Sequence, residues 1–456
     1  MVKLMIVPKH YDLFMSILPD LGEMEAESKV TLVNQGLKPI RFFHVLLNRG
    51  LRVNLLKCIE NKVSYSQTQA FFPDLKELRV NLIEVSFERP LEPGQVATLV
   101  ISYSGNIKEY EEVLPYVKDR ISREYTIIRT DAFSYPVICP LEIRKMISFI
   151  PSQRFTYMIR VMVPRDLTVA NLGRLKDTHI DGDKAVFSYV SKLPSWRIDV
   201  AVSRFIVVEE GDIKVYAMEK DFLYGKRLIN EVRRCLKFYK EWIGVGPPRW
   251  VGYTIIELPR GYGGQADVCG MLIDEISFRD PKRIGGIYHE LAHLWNVASS
   301  EKYPSRFLDE AFATYFQLVA EKHFIGEKEF MEKIAAFRQK FRRMAEKNPE
   351  ILKTPPAKYG EYMLTDLSYI VGTYILYMLH SVIGDKYFRK LVSNFIEKHR
   401  ETPATLKDFI NVTKEICGTD FGNILDKFFF DNMFVVYLAS DRPLKEVMVS
   451  LFKSVH

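Results

Sequence analysis

Cysteine is scarce in this chain. The 456 residues hold five cysteines, Cys58, Cys139, Cys235, Cys269 and Cys417. Their odd number and wide spacing exclude a disulfide framework and a clustered thiolate metal site, and point to a reducing compartment. Long apolar runs are also lacking. No stretch approaches the ~20 uninterrupted apolar residues of a membrane helix, and Phe428 to Ala439, the nearest candidate, contains Asp431 and Asn432. The opening Met1 to His10 is too short and too interrupted for a signal peptide. Charge of one sign is nowhere concentrated: the net +7 comes from 64 Lys and Arg against 57 Asp and Glu spread along the chain. With no basic arm, a nucleic-acid partner is not expected. These absences describe a cytoplasmic protein without membrane or nucleic-acid partners.

Ample apolar residues are what remains. They make up 47% of the chain, with 13% aromatic, enough for true cores and too many for disorder. The length suggests two domains. Up to about residue 209 the pattern is strand-like, as in Leu78-Arg79-Val80-Asn81-Leu82 and Ala97 to Tyr103, with turns such as Glu92-Pro93-Gly94 and Asp181-Gly182-Asp183 between short runs. An antiparallel sandwich or saddle is expected over 1–209. From residue 210 a strand at Ile213 to Ala217 leads to a helix capped by Asp221 and ended by Gly244-Val245-Gly246-Pro247-Pro248. Two strands follow, Trp250 to Ile256 and Met271 to Ile273, and the rest to 456 is almost entirely helical, broken at Pro355-Pro356, near Gly384 and at Thr402-Pro403. A small sheet, then a motif-bearing helix, then helices resembles the thermolysin-like catalytic layout. The expected class is therefore α+β.

His289-Glu290-Leu291-Ala292-His293 is the segment with chemistry in it. Histidines four apart share a helix face, so both rings can point at one ion. Glu310, in Leu308-Asp309-Glu310-Ala311, can supply a carboxylate as third ligand. Asp309 is its neighbour and rival, but faces another way on a helix. Two imidazoles, one carboxylate and an open position suit a single catalytic Zn2+, with Glu290 as general base. The competing reading is a core helix whose histidines merely hydrogen-bond. Against it, Ile284 to Trp295 is almost wholly apolar, and polar groups buried there are costly without a partner such as a metal. Asn296 or a nearby carboxylate is a candidate to orient His289 or His293.

These residues carry a resemblance to peptidase family M1, the zinc aminopeptidases that include leukotriene-hydrolase-like enzymes. His289 to Trp295 and Phe307 to Phe316 follow that family closely; His10-Tyr11-Asp12-Leu13 and Pro90 to Gly94 are weaker matches. The resemblance implies that Tyr369, in Tyr369-Ile370-Val371-Gly372, donates a hydrogen bond to the tetrahedral oxyanion. It also aligns the family's amine-binding glutamate with Asp267, in Gly264-Gln265-Ala266-Asp267-Val268-Cys269-Gly270, with Gln265 as an assistant. Three departures stand out. Sixteen residues separate His293 from Glu310, fewer than the family's usual spacing. The second amine anchor, expected shortly before Thr130-Asp131-Ala132, falls on Thr126, Ile127 and Ile128. The sequence stops at His456, about where the family's catalytic domain finishes, which suggests a short form without the C-terminal helical roof and an open cleft that a second subunit could cover. The expected function is zinc-dependent hydrolysis of peptides from the free N-terminus. The alternatives are cleavage of internal or N-blocked peptides, and a non-catalytic zinc-binding relative.

Overall fold

The computed structural model describes residues 6–247, 249–443 and Glu446, apart from the side chains of Arg144, Ile147 and Ser148. The first five residues of the opening apolar stretch, Pro248 of the expected turn and the last residues of the chain lie outside that description. The chain forms two compact units, residues 1–229 with 251–279, and residues 230–250 with 280–456.

The first unit is built on period-two alternation. Strand Glu23–Asn34 exposes Glu23, Glu25, Glu27 and Lys29 and buries Met24, Ala26, Ser28 and Val30, the pattern of a strand with one face in a core. Its sheet has seven strands, in the order Arg174–Asp181, Lys184–Val190, Thr156–Pro164, Ile6–Leu18, Glu23–Asn34, Val96–Gly105, Leu51–Cys58. Neighbours run antiparallel with one exception: Ile6–Leu18 and Thr156–Pro164 pair in parallel, His10 opposite Thr156. A parallel pair needs a long crossover, and the chain between these strands provides one. A three-stranded sheet, Ile40–Leu47, Leu75–Leu91 and Val63–Phe72, shares the core. Leu13, Leu32, Leu99 and Ile159 of the larger sheet join Val45, Ile83 and Phe87 of the smaller.

This unit also holds a five-stranded sheet ordered Phe205–Glu210, Ile213–Met218, Tyr253–Leu258, Gly270–Asp274, Gln265–Asp267. Its central strand Tyr253–Leu258 is buried throughout and lies parallel to both neighbours, as expected of a strand covered on both faces. Gln265–Asp267 forms the edge. The expected helix runs Phe222–Ile243. Asp221 precedes it in a short turn, and its carboxylate receives Arg279 Nε and Nη2 at 2.6 and 2.7 Å.

The second unit is helical. Phe307, Phe312, Phe395, Phe409 and Phe429 interlock at ring distances of 4.6–6.1 Å, and each such ring buried contributes on the order of 1.5–3 kcal/mol. The helix Ser368–Lys398 crosses this core and bends at Gly384, whose φ of 78° interrupts it. By length and composition the span Thr365–Lys398 would suit a membrane, yet 61% of its most apolar window is buried inside the protein.

Candidate metal centre

The motif helix Ile284–Ala292 is short, and its last turn tightens into a 3-10 turn, His293–Trp295. Ile284, Ile287, Tyr288, Leu291 and Ala292 are buried, which leaves His289 and His293 together at its accessible edge. Three contacts fix this segment. Tyr239 Oη donates to the Tyr288 carbonyl at 2.9 Å, Arg234 Nη2 to Tyr288 Oη at 2.8 Å, and Trp295 Nε1 to the Val245 carbonyl at 2.9 Å. Gly285 serves close packing: a Cβ there would stand 1.9 Å from Glu321 Oε1 on the helix Phe312–Phe324.

Glu310 does not sit on a regular α-helix. It lies in a π-helical turn, Phe307–Ala311, that opens the helix Phe312–Phe324. Its Oε2 is 3.1 Å from His289 Nε2 and 3.7 Å from His293 Nε2. One ligand atom from each of these three residues falls within 4.8 Å of the others. The shortened spacing before Glu310 is thus absorbed by the intervening loop. Asp309, the rival, points elsewhere: it accepts Arg306 Nε at 3.0 Å and the Glu310 N–H at 2.8 Å.

Tyr369 joins the group, its ring stacked on that of His289 at 5.9 Å and 18°. Burial and the Glu310 carboxylate push its phenol well above the usual range, so the hydroxyl keeps its proton. Gly372, one turn later, lets this helix meet the Glu310 turn. A Cβ there would lie 2.4 Å from Ala311 Cβ and 2.9 Å from a Phe307 ring carbon. Gly372→Ala is therefore expected to cost about 1–3 kcal/mol by overpacking. A falling melting temperature that Ala311→Gly restores in the double variant would check it; additive losses would refute the contact.

The donor set suits zinc. Burial lowers the His293 pKa to about 4 despite the opposing Glu310 charge, leaving a neutral imidazole. Burial alone would raise Glu310, but the His289 bond, Arg306 and His293 outweigh it and hold the carboxyl well below its usual range. Burial also pulls His289 down, yet Glu310 and Glu290 raise it overall; metal uptake would displace that proton. Asn296 lies 2.5 Å from His293 Nδ1, and its Oδ1 is buried without a partner. Exchanging the ends of the amide lets Nδ1–H donate to Oδ1 and frees Nε2 for an ion.

Gln265 and Asp267 belong to the first unit, where they join a polar cluster around Arg197. Gln265 Oε1 accepts Arg197 Nη2. Arg197 also binds Asp131 at 2.8 Å and Asp199 at 2.5 and 2.7 Å. Asp267 accepts Ser195 Oγ and, at 2.8 Å, the Val268 N–H. Burial raises its carboxyl in spite of these bonds. Asp131 would also be raised by burial, but Arg197, Arg129 and Gln265 hold it below its usual range. Asp131, in Thr130-Asp131-Ala132, joins this cluster through Arg197.

Fold and site together define a two-domain α+β protein with a β-rich half, a helical half and a candidate His-His-Glu centre. Residues 271–428 match the peptidase family M1 domain. It is 24% identical over 370 residues to "Probable aminopeptidase 2" of Sulfurisphaera tokodaii, covering 75% of this chain and 46% of that protein. To "Leucyl aminopeptidase" of Saccharolobus solfataricus it is 22% identical over 455 residues, covering 92% and 53%. The chain therefore spans about half the length of these relatives. Among solved structures, an M1 zinc metallopeptidase mutant of Deinococcus radiodurans bound to a Tyr-Ser-Ala substrate matches with a TM-score of 0.66 and 18% identity. That match covers 94% of both chains.

Proposed function

We propose that this chain is a zinc-dependent metallopeptidase of the aminopeptidase type, with one ion held by His289, His293 and Glu310. The observation that carries the reading is the meeting of these three ligand groups, within 4.8 Å, beside the Tyr369 ring. When bound, the ion supplies Lewis acidity that acidifies water and polarises a peptide carbonyl. Glu290, adjacent to His289 on the motif helix, takes the proton from the attacking water and passes it to the leaving amine. The Tyr369 hydroxyl, kept protonated by its surroundings, donates to the oxyanion as it forms. Asn296 fixes the orientation of His293. The names of the relatives, aminopeptidases, support the exopeptidase half of the proposal.

One observation favours a second reading, cleavage of internal or N-blocked peptides. An ammonium needs carboxylate oxygens that are ionised and available, whereas Asp267 is raised and already bonded to Ser195 and Val268, and Gln265 is turned to Arg197. Hydrolysis of a peptide pair, one free and one acetylated at the N-terminus, separates the two. With zinc-loaded protein we expect stepwise cleavage of the free peptide alone. Cleavage of the acetylated peptide would establish the second reading, and cleavage of neither would refute both.

A further inference from the structure

Arg306 stands at the head of the turn that carries Glu310, in a conformation that argues for its side chain. Its φ of 67° and ψ of 21° are left-handed, a region where any residue with a Cβ is strained and glycine is not. A strained residue persists where its surroundings hold it, and such residues gather at functional sites. Here the side chain reaches two acidic neighbours. Nε donates to Asp309 Oδ2 at 3.0 Å, and Nη2 contacts Glu310 Oε1. The main chain of the same residue holds the turn, since the Arg306 carbonyl accepts the Glu310 N–H at 3.0 Å and the Ala311 N–H at 3.4 Å.

The two oxygens of Glu310 are thereby divided. Oε1 lies on Arg306, while Oε2 faces His289 and His293 at 3.1 and 3.7 Å. Building on the metallopeptidase reading, we propose that Arg306 is a positioning residue that occupies one Glu310 oxygen and presents the other to the ion. Asp309 completes the device: it holds the guanidinium with one oxygen and the Glu310 N–H with the other, so the fork cannot swing away. A lysine would keep the charge but not the two-way grip.

The test compares wild type, Arg306→Lys and Arg306→Gly, each first shown to be folded by far-ultraviolet circular dichroism. Zinc dissociation constants come from chelator competition, and the coordination of Glu310 from the visible absorption of cobalt-loaded protein. Glycine suits the left-handed backbone, so the variant removes the side chain without adding strain. We expect it to weaken zinc binding about 10–100-fold, the range for loss of an outer partner, with lysine between it and wild type. The cobalt spectrum of Arg306→Gly should change, because the freed oxygen becomes available to the ion. Equal or tighter zinc binding by Arg306→Gly, or an unaltered cobalt spectrum, would overturn the proposal while leaving the metallopeptidase reading intact. Wild-type protein that takes up no zinc would overturn that reading and this one with it. If the glycine variant does not fold, the lysine variant decides by the same two measurements.

Discussion

Glu290→Gln should retain zinc and lose peptide hydrolysis by a factor of about 10²–10⁴, the usual contribution of a positioned general base. The exchange keeps the shape and removes only the ability to take a proton. Glu290 lies half-buried on the same helix as His289, and its charge is among those that raise the His289 pKa. The check is turnover on a short unblocked peptide beside zinc content per chain. Full zinc with turnover near wild type would remove Glu290 from the mechanism. Loss of both would make it a structural support instead.

Glu310→Ala should abolish metal retention. Among the described residues of the second unit, three donors converge, so removing one leaves two imidazoles on a short helix. Asp309 is poorly placed to substitute, because both of its oxygens are engaged, by Arg306 and by a main-chain N–H. At zinc 100-fold above its dissociation constant, the folded wild type gains about 2.7 kcal/mol of stability. The variant should gain almost nothing. Melting with and without zinc, and metal content after dialysis, read the outcome. A zinc-dependent rise in the variant equal to that of wild type would mean that another carboxylate is the ligand.

What the sequence made legible was local. His289 and His293 are one helical turn apart, and the alternation in Glu23–Asn34 declares its buried face without reference to anything distant. What it concealed depends on partners far along the chain or on departures from regular geometry. Arg197 meets Asp131 and Gln265 across 66 and 68 residues, so the engagement of the expected amine anchors had no local signature. Arg306 was hidden differently. On an ordinary helix Arg306 and Glu310 would read as a surface pair four apart. The left-handed start and the π turn convert that pair into a support for a candidate metal ligand. The small residue in Tyr369-Ile370-Val371-Gly372 was visible, but its reason, close approach to Ala311, required the packed structure.

The parallel pairing of Ile6–Leu18 with Thr156–Pro164 has a consequence for biosynthesis. His10 leaves the ribosome 146 residues before its partner Thr156. At about 5–20 residues per second that is a wait of roughly 7–30 s. During that interval one side of the strand has its hairpin neighbour Glu23–Asn34, and the other is an open edge able to recruit a stray strand. Nascent chains of this protein should therefore depend on chaperones most while the segment between these two strands is being made.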